Sequence, residues 1–228
     1  MHDVGPYIAH HKGGRPYVLS GEGGMLMDTN PRNDTDPYGK DITWQAGYFN
    51  ECMSGFEHQV ASHLMAEGMV KESLVLTRSI HDRYHATKRN PYNEIECSDH
   101  YARAMASYGT FITACGFEYN GPKGYIGFAP KINPQNFKTP FTAAEGWGTF
   151  EQQQSQQRLR AKIHIKKGTL SLQKISLQPA EGMKANKANC FIGNKKIPAD
   201  IKDSEGRIEI QFTNPEVVRE GEVLFIEI

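Results

Sequence analysis

Leu159–Leu177 reads LRAKIHIKKGTLSLQKISL, and it alternates. Leu159, Ala161, Ile163 and Ile165 are separated by Arg160, Lys162 and His164; beyond a Lys-Gly turn the alternation resumes at Leu170 and Leu172. A period of two places one apolar row on the inner face of a sheet and one polar row outside. CFIGNKKIPADI (190–201), RIEIQF (207–212) and EVLFIEI (222–228) repeat the pattern, so residues 151–228 read as a β-rich carboxy-terminal appendage.

Upstream the period changes to that of helices. Met53, Phe56, Val60 and Leu64 recur at three- and four-residue steps and stop at Gly68. Val70, Leu74, Thr77, Ile80 and Tyr84 predict a second helix, and Tyr101, Met105, Tyr108, Ile112 and Cys115 a third, closed by Gly116 and capped by Ser98 or Asp99. One or two residues join the first two helices, which must therefore form an antiparallel hairpin. The longer link from Ala86 to Cys97 lies at the other end of that hairpin, beside the start of the first helix. One rim thus collects ITWQAGYFNE (42–51) and KRNPYNEIEC (88–97).

Between these regions FEYNGPKGYIGFAP (117–130) reads as a hairpin around Gly121 to Gly124, FKTPFTAAEGWGTF (137–150) as irregular, and EQQQSQQ (151–157) as a polar tract. Residues 1–50 carry turn chemistry (Pro6, Pro16, Pro31, Pro37 and two Gly-Gly pairs) and form an extended, loop-rich lead-in. The expected division is 1–50, 51–150 and 151–228, mainly α with a β appendage.

The chain has 228 residues, 26 basic and 26 acidic, and a lean apolar share of 38 %. Neutrality argues against a sequence-independent nucleic-acid or lipid-surface binder, both of which need basic excess. No apolar run reaches the roughly 18 residues of a membrane helix, and the amino terminus has no apolar signal core. Cys52, Cys97, Cys115 and Cys190 are too scattered for a disulfide framework and read as buried thiols.

The densest polar cluster is NEIECSDHYAR, with Glu94, Glu96, Asp99, His100 and Arg103 at a helix start. Carboxylates accept from sugar hydroxyls and a guanidinium donates in a fixed fork, so the cluster suits a polyhydroxylated ligand. It equally suits a helix cap with local ion pairs. His81 and His85 have the i, i+4 spacing of zinc ligands, yet no third ligand accompanies them, and they read as histidines near a helix end. Glu145 and Trp147 in AEGWG fit a sugar platform or a packing anchor. GxSxG, P-loop and Rossmann glycine patterns are absent.

Trp44 to Gly148, and above all RNPYNEIECSDHYARAMASYG (89–109), YIGFAPKI (125–132) and FTAAEGWGTF (141–150), resembles the carboxy-terminal part of the catalytic domain of glycoside hydrolase family 116. This is the family of the non-lysosomal glucosylceramidase and the bacterial β-glucosidase-type enzymes. The resemblance implies a partial (α/α)6 toroid made of its carboxy-terminal helices, with sugar bound at one rim and no cofactor. Glu94 and Arg103 would hold glycone hydroxyls, with Glu51, Glu96 and His100 beside them. Retaining hydrolysis needs two carboxyl groups about 5 Å apart, and in this family both lie upstream of the matched segment. The expectation is therefore a fragment whose partners are a carbohydrate or glycoside and the missing amino-terminal part of the same enzyme, inactive alone. A non-catalytic carbohydrate-binding or scaffold module is the alternative. Two departures touch the site: Asn50 to Gly55 reads NECMSG where the family has Asp-Glu-Val-Trp-Thr-Gly, putting Met53 in place of an aromatic, and Ser98 replaces a glycine.

Overall fold

The computed structural model describes residues 2–3, 22–25, 52–93, 102–204 and 206–228. The chain divides into two compact units, Met1–Thr113 and Ala114–Ile228.

The first unit holds a helical hairpin. Helix α1 (Ser54–Ala66) and α2 (Val70–Arg83) are joined through Gly68 at φ 80°, where the Met69 amide donates to the Leu64 carbonyl at 2.9 Å. A left-handed φ at this position favours glycine, which lacks the Cβ that would clash. Helix α3 (Ala104–Cys115) crosses α1 through hydroxyls: Ser62 Oγ and Thr110 Oγ1 are 3.1 Å apart, and Thr110 donates to the His58 carbonyl. Strands β1 (His2–Asp3) and β2 (Gly23–Gly24) form a short antiparallel pair.

The buried row of α1 is Ser54, Glu57, Ala61 and Met65, one residue away from the apolar row expected from the sequence. Phe56 on α1 and Leu74 on α2 are each 44 % exposed, and Met105 on α3 is 90 % exposed. The reason is electrostatic. Glu57 faces Arg83 across the hairpin, the two carboxylate oxygens take the two guanidinium nitrogens, and the pair buries as a unit. Ser73 also enters the interface, donating to the Ala61 carbonyl at 2.7 Å, and the small Ala61 leaves room for it.

The second unit is all strand apart from a 3-10 turn and the last residues of α3. Its axis is β7 (Leu159–Leu177), a single strand that serves two sheets. Residues before Gly168 pair antiparallel with β6 (Gly146–Gln154) and β12 (Val223–Glu227), giving the order β5-β6-β7-β12-β8-β9; β5 is Asn136–Thr142, β8 Asn189–Ile192 and β9 Lys195–Ile197. Residues after Gly168 pair with β11 (Arg207–Arg219) and, in parallel, with β4 (Tyr125–Phe128), giving β3-β4-β7-β11-β10; β3 is Glu118–Asn120 and β10 Ala199–Ser204. The inner rows close on one core. Phe128 of β4 stacks on Phe150 of β6 with ring centroids 3.8 Å apart, joining the two sheets face to face.

The expectation of a mainly α chain built on a partial (α/α)6 toroid is overturned. Only three α-helices occur among the described residues, all before Gly116, while ten strands form one connected sheet system from Glu118 onward. FKTPFTAAEGWGTF is a hairpin, β5 to β6, whose period is hidden because Gly148 and Gln152 occupy inward positions beside Phe150. The expected Lys-Gly turn is a bend instead. Gly168 takes φ 75°, and a Cβ there would sit 2.1 Å from the Glu145 carbonyl oxygen, so glycine lets β7 pass close to the β5–β6 turn and continue into the second sheet. The hairpin around Gly121 to Gly124 is present, with Asn120 Oδ1 accepting from the Lys123 amide at 3.2 Å. No helix among the described residues is long and apolar enough to cross a membrane.

Candidate functional site

A cleft of about 460 Å³ opens in the first unit at the end of the hairpin away from Gly68. Ser54 and His58 of the start of α1 form one wall, Thr77, Ile80, His81 and Tyr84 of the last turns of α2 another. Pro91, Tyr92 and Asn93 lead into it, and Ala102, Arg103, Ala104 and Ser107 close it from the start of α3. Because a hairpin brings the first turn of one helix beside the last turn of the next, three distant segments meet at this end.

Arg103 occupies the rim through a glycine. A Cβ on Gly55 would lie 3.0 Å from Arg103 Cδ and 3.1 Å from its Nε, so the missing side chain gives the guanidinium stem its path across the start of α1. Of the other expected binding residues, Glu51, Glu94, Glu96 and His100 lie outside the described residues, as do Cys97, Ser98 and Asp99.

Two ion pairs hold the walls. Arg83, on the α2 turn that also carries His81 and Tyr84, is 2 % exposed and donates to Glu57 Oε1 at 3.1 Å and to the Gly23 carbonyl at 3.0 Å. The Met25 amide donates to the same Glu57 oxygen at 2.9 Å, tying segment 22–25 to both helices. Burial alone would favour a neutral Arg83; the hydrogen bond and charge of Glu57 outweigh it and raise the guanidinium above its ordinary value. Farther along, Arg89 donates to both oxygens of Glu22 at 2.8 Å and lies 5.9 Å from the centroid of the Tyr84 ring.

His81 lines the cleft, while the Nδ1 of His85 lies 2.9 Å from Thr87 Oγ1. No group of three His, Cys, Asp or Glu side chains suited to a metal occurs among the described residues. His58, Tyr84, Tyr92 and Asn93 escaped sequence reasoning as site residues. The signal for them was positional, since each sits at a helix end or in the link that the loop lengths bring to one rim. In the second unit, Glu145 Oε2 accepts from Thr169 Oγ1 at 3.4 Å and Trp147 is 49 % exposed on β6.

No family model and no curated protein matches the chain. Among solved structures it is similar to α-L-rhamnosidase from Dictyoglumus thermophilum, with a TM-score of 0.31 and 14 % identity over 56 % of this chain. The chain spans 14 % of the length of that protein, and a likeness of this degree carries neither fold nor activity across.

Proposed function

We propose that this chain supplies the sugar-binding part of a glycoside hydrolase acting on β-glucoside-type substrates, with the nucleophile and the acid/base on a further part of the same enzyme. The observation that carries the reading is the cleft that unites Arg103 with Tyr92 and Asn93, three residues of the RNPYNEIECSDHYAR block that resembles glycoside hydrolase family 116. Its chemistry suits a pyranose: aromatic rings for the apolar face, and guanidinium, imidazole, amide and hydroxyl groups for the hydroxyl edges. Glu94 and Arg103 are assigned to glycone hydroxyls, with Glu51, Glu96 and His100 around them. The exposed Phe56, Leu74 and Met105 are apolar side chains available for packing against that further part.

The second reading is a carbohydrate-binding or scaffold module that uses the same cleft without hydrolysis. One experiment separates them. In the complete enzyme, Arg103→Gln and Glu94→Gln each lower kcat/KM on aryl β-glucosides by ~2–3 kcal/mol of transition-state binding, the worth of a charged hydrogen bond. Unchanged kcat/KM in both variants removes the assignment. Glucoside binding by calorimetry that depends on Arg103, with no turnover by the complete protein, establishes the module.

A further inference from the structure

The outer face of the sheet β5-β6-β7-β12 carries features that the cleft does not use. On β6 the residues Trp147, Thr149, Glu151 and Gln153 face outward, alternating with the buried Gly148, Phe150 and Gln152. Strand pairing sets Glu151 beside Lys162 and Lys162 beside Phe225, and sets Gln153 beside Arg160 and Arg160 beside Glu227. Two cavities open along these rows. One, of about 180 Å³, is lined by Glu151, Gln152, Gln153, Arg160, Lys162 and Phe225. The other, of about 270 Å³, includes Asn136, Ser155 and Arg158 and shares Gln153 and Arg160 with the first. The shared residues make them one groove.

We infer that this groove binds an acidic oligosaccharide, a sugar chain bearing carboxylates. The cations exceed the acids: Arg158, Arg160 and Lys162 face the groove with Glu151 as its acid, and Glu227 holds Arg158 and, at 2.8 Å, Arg160 Nε. Those bonds fix the guanidinium of Arg160 and leave its other edge for a ligand. Glu151 pairs with Lys138 at 2.6 Å, and Lys162, its cross-strand neighbour, adds a weaker attraction to the same carboxylate, so two ammonium groups share one acid. Gln153 and Asn136 bring amides to hydroxyls, and Phe225 presents a half-buried ring to the apolar face of a pyranose.

The same carboxylates argue against a polyphosphate. In a polyphosphate they meet negative charge and no donor, whereas the hydroxyls between the carboxylates of a sugar chain can donate to them. Trp147, four residues from Glu151 on the same strand face and thus about 13 Å away, supplies a second aromatic ring along a longer chain. The groove lies wholly within the second unit and shares no residue with the cleft, so it stands or falls independently of the glycosidase reading.

Calorimetric titration of the full chain with trigalacturonate is the test, with maltotriose and a short DNA duplex as controls. The expected result is saturable trigalacturonate binding that weakens by at least about tenfold in R160Q/K162Q and is retained in K162R. All these positions are on an outer sheet face, so circular dichroism melts should coincide, confirming that the variants fold. Absence of binding at 10 mM, equal affinity for maltotriose, equal affinity for DNA, or unaltered binding in R160Q/K162Q would each overturn the inference.

Discussion

At the scale of the residue, the buried pair Glu57 and Arg83 is the most consequential feature of the first unit. Both side chains are essentially inaccessible, and they satisfy each other and the backbone of Gly23 and Met25. Removing one partner leaves the other charge buried and unmatched, which costs about 3–5 kcal/mol. Arg83→Met should therefore destabilise the first unit by that amount in urea melts followed by a helix signal, and a loss below 1 kcal/mol would show that the pair is not closed in solution. A second residue prediction concerns pH. Burial pushes the Cys190 thiol from its ordinary 9.0 up to about 12, and burial likewise raises Cys115. The folded chain keeps a proton that the unfolded chain releases, so this contribution is complete below pH 9 and is lost as pH rises from 9 towards 12. The fall in melting temperature between pH 9 and 10.5 should be shallower in Cys190→Ala than in the parent; identical slopes would contradict it.

At the scale of the element, β7 depends on one glycine. Its two halves belong to different sheets, and the junction requires a positive φ and the close approach of the Glu145 carbonyl. Gly168→Ala meets both obstacles at once: a left-handed backbone worth roughly 1–2 kcal/mol and a Cβ overlapping a backbone oxygen that no rotamer relieves. Equilibrium unfolding should show a loss above about 2 kcal/mol, whereas Gly182→Ala, also at positive φ but with open space around it, should cost less. Equal losses would mean that the approach to Glu145 is unimportant.

At the scale of the molecule, the two units differ in what stabilises them. The second encloses one continuous apolar core drawn from both sheets, while the hairpin of the first buries Glu57, Arg83 and Ser73 among a smaller apolar set, Ala61, Met65, Leu76 and Ile80. Hydrophobic burial supplies most folding free energy, so the slowest-exchanging amides should lie in β7 and its neighbours β6, β11 and β12. Protection of α1 and α2 equal to that of β7 would show that the first unit is stabilised by more than the described contacts. Burial of Phe56, Leu74 and Met105 by a further part of the protein would be such a source, and the glycosidase reading calls for one.

Much of this was legible in sequence at short range. Gly68, Gly116 and Gly124 end or turn their elements because a positive φ is a local demand that glycine meets. The alternation on either side of Gly168 specified strand with a defined inner row, though not that the two stretches are one strand, and the brevity of the Gly68 connection brought the start of α1 and the end of α2 to one rim, where the cleft is found. Periodicity, however, records which residues are apolar and not which are matched. The inner row of α1 was misread because the charge of Glu57 is cancelled only by a residue twenty-six positions away. The hairpin β5–β6 stayed hidden because an inward Gln152 is tolerable only once the Pro134 carbonyl is beside it. The balance between helix and sheet, the continuity of β7 through Gly168, and the gathering of Arg160, Lys162 and Phe225 into one groove were decided by tertiary pairing, since each depends on contacts between residues far apart in the chain.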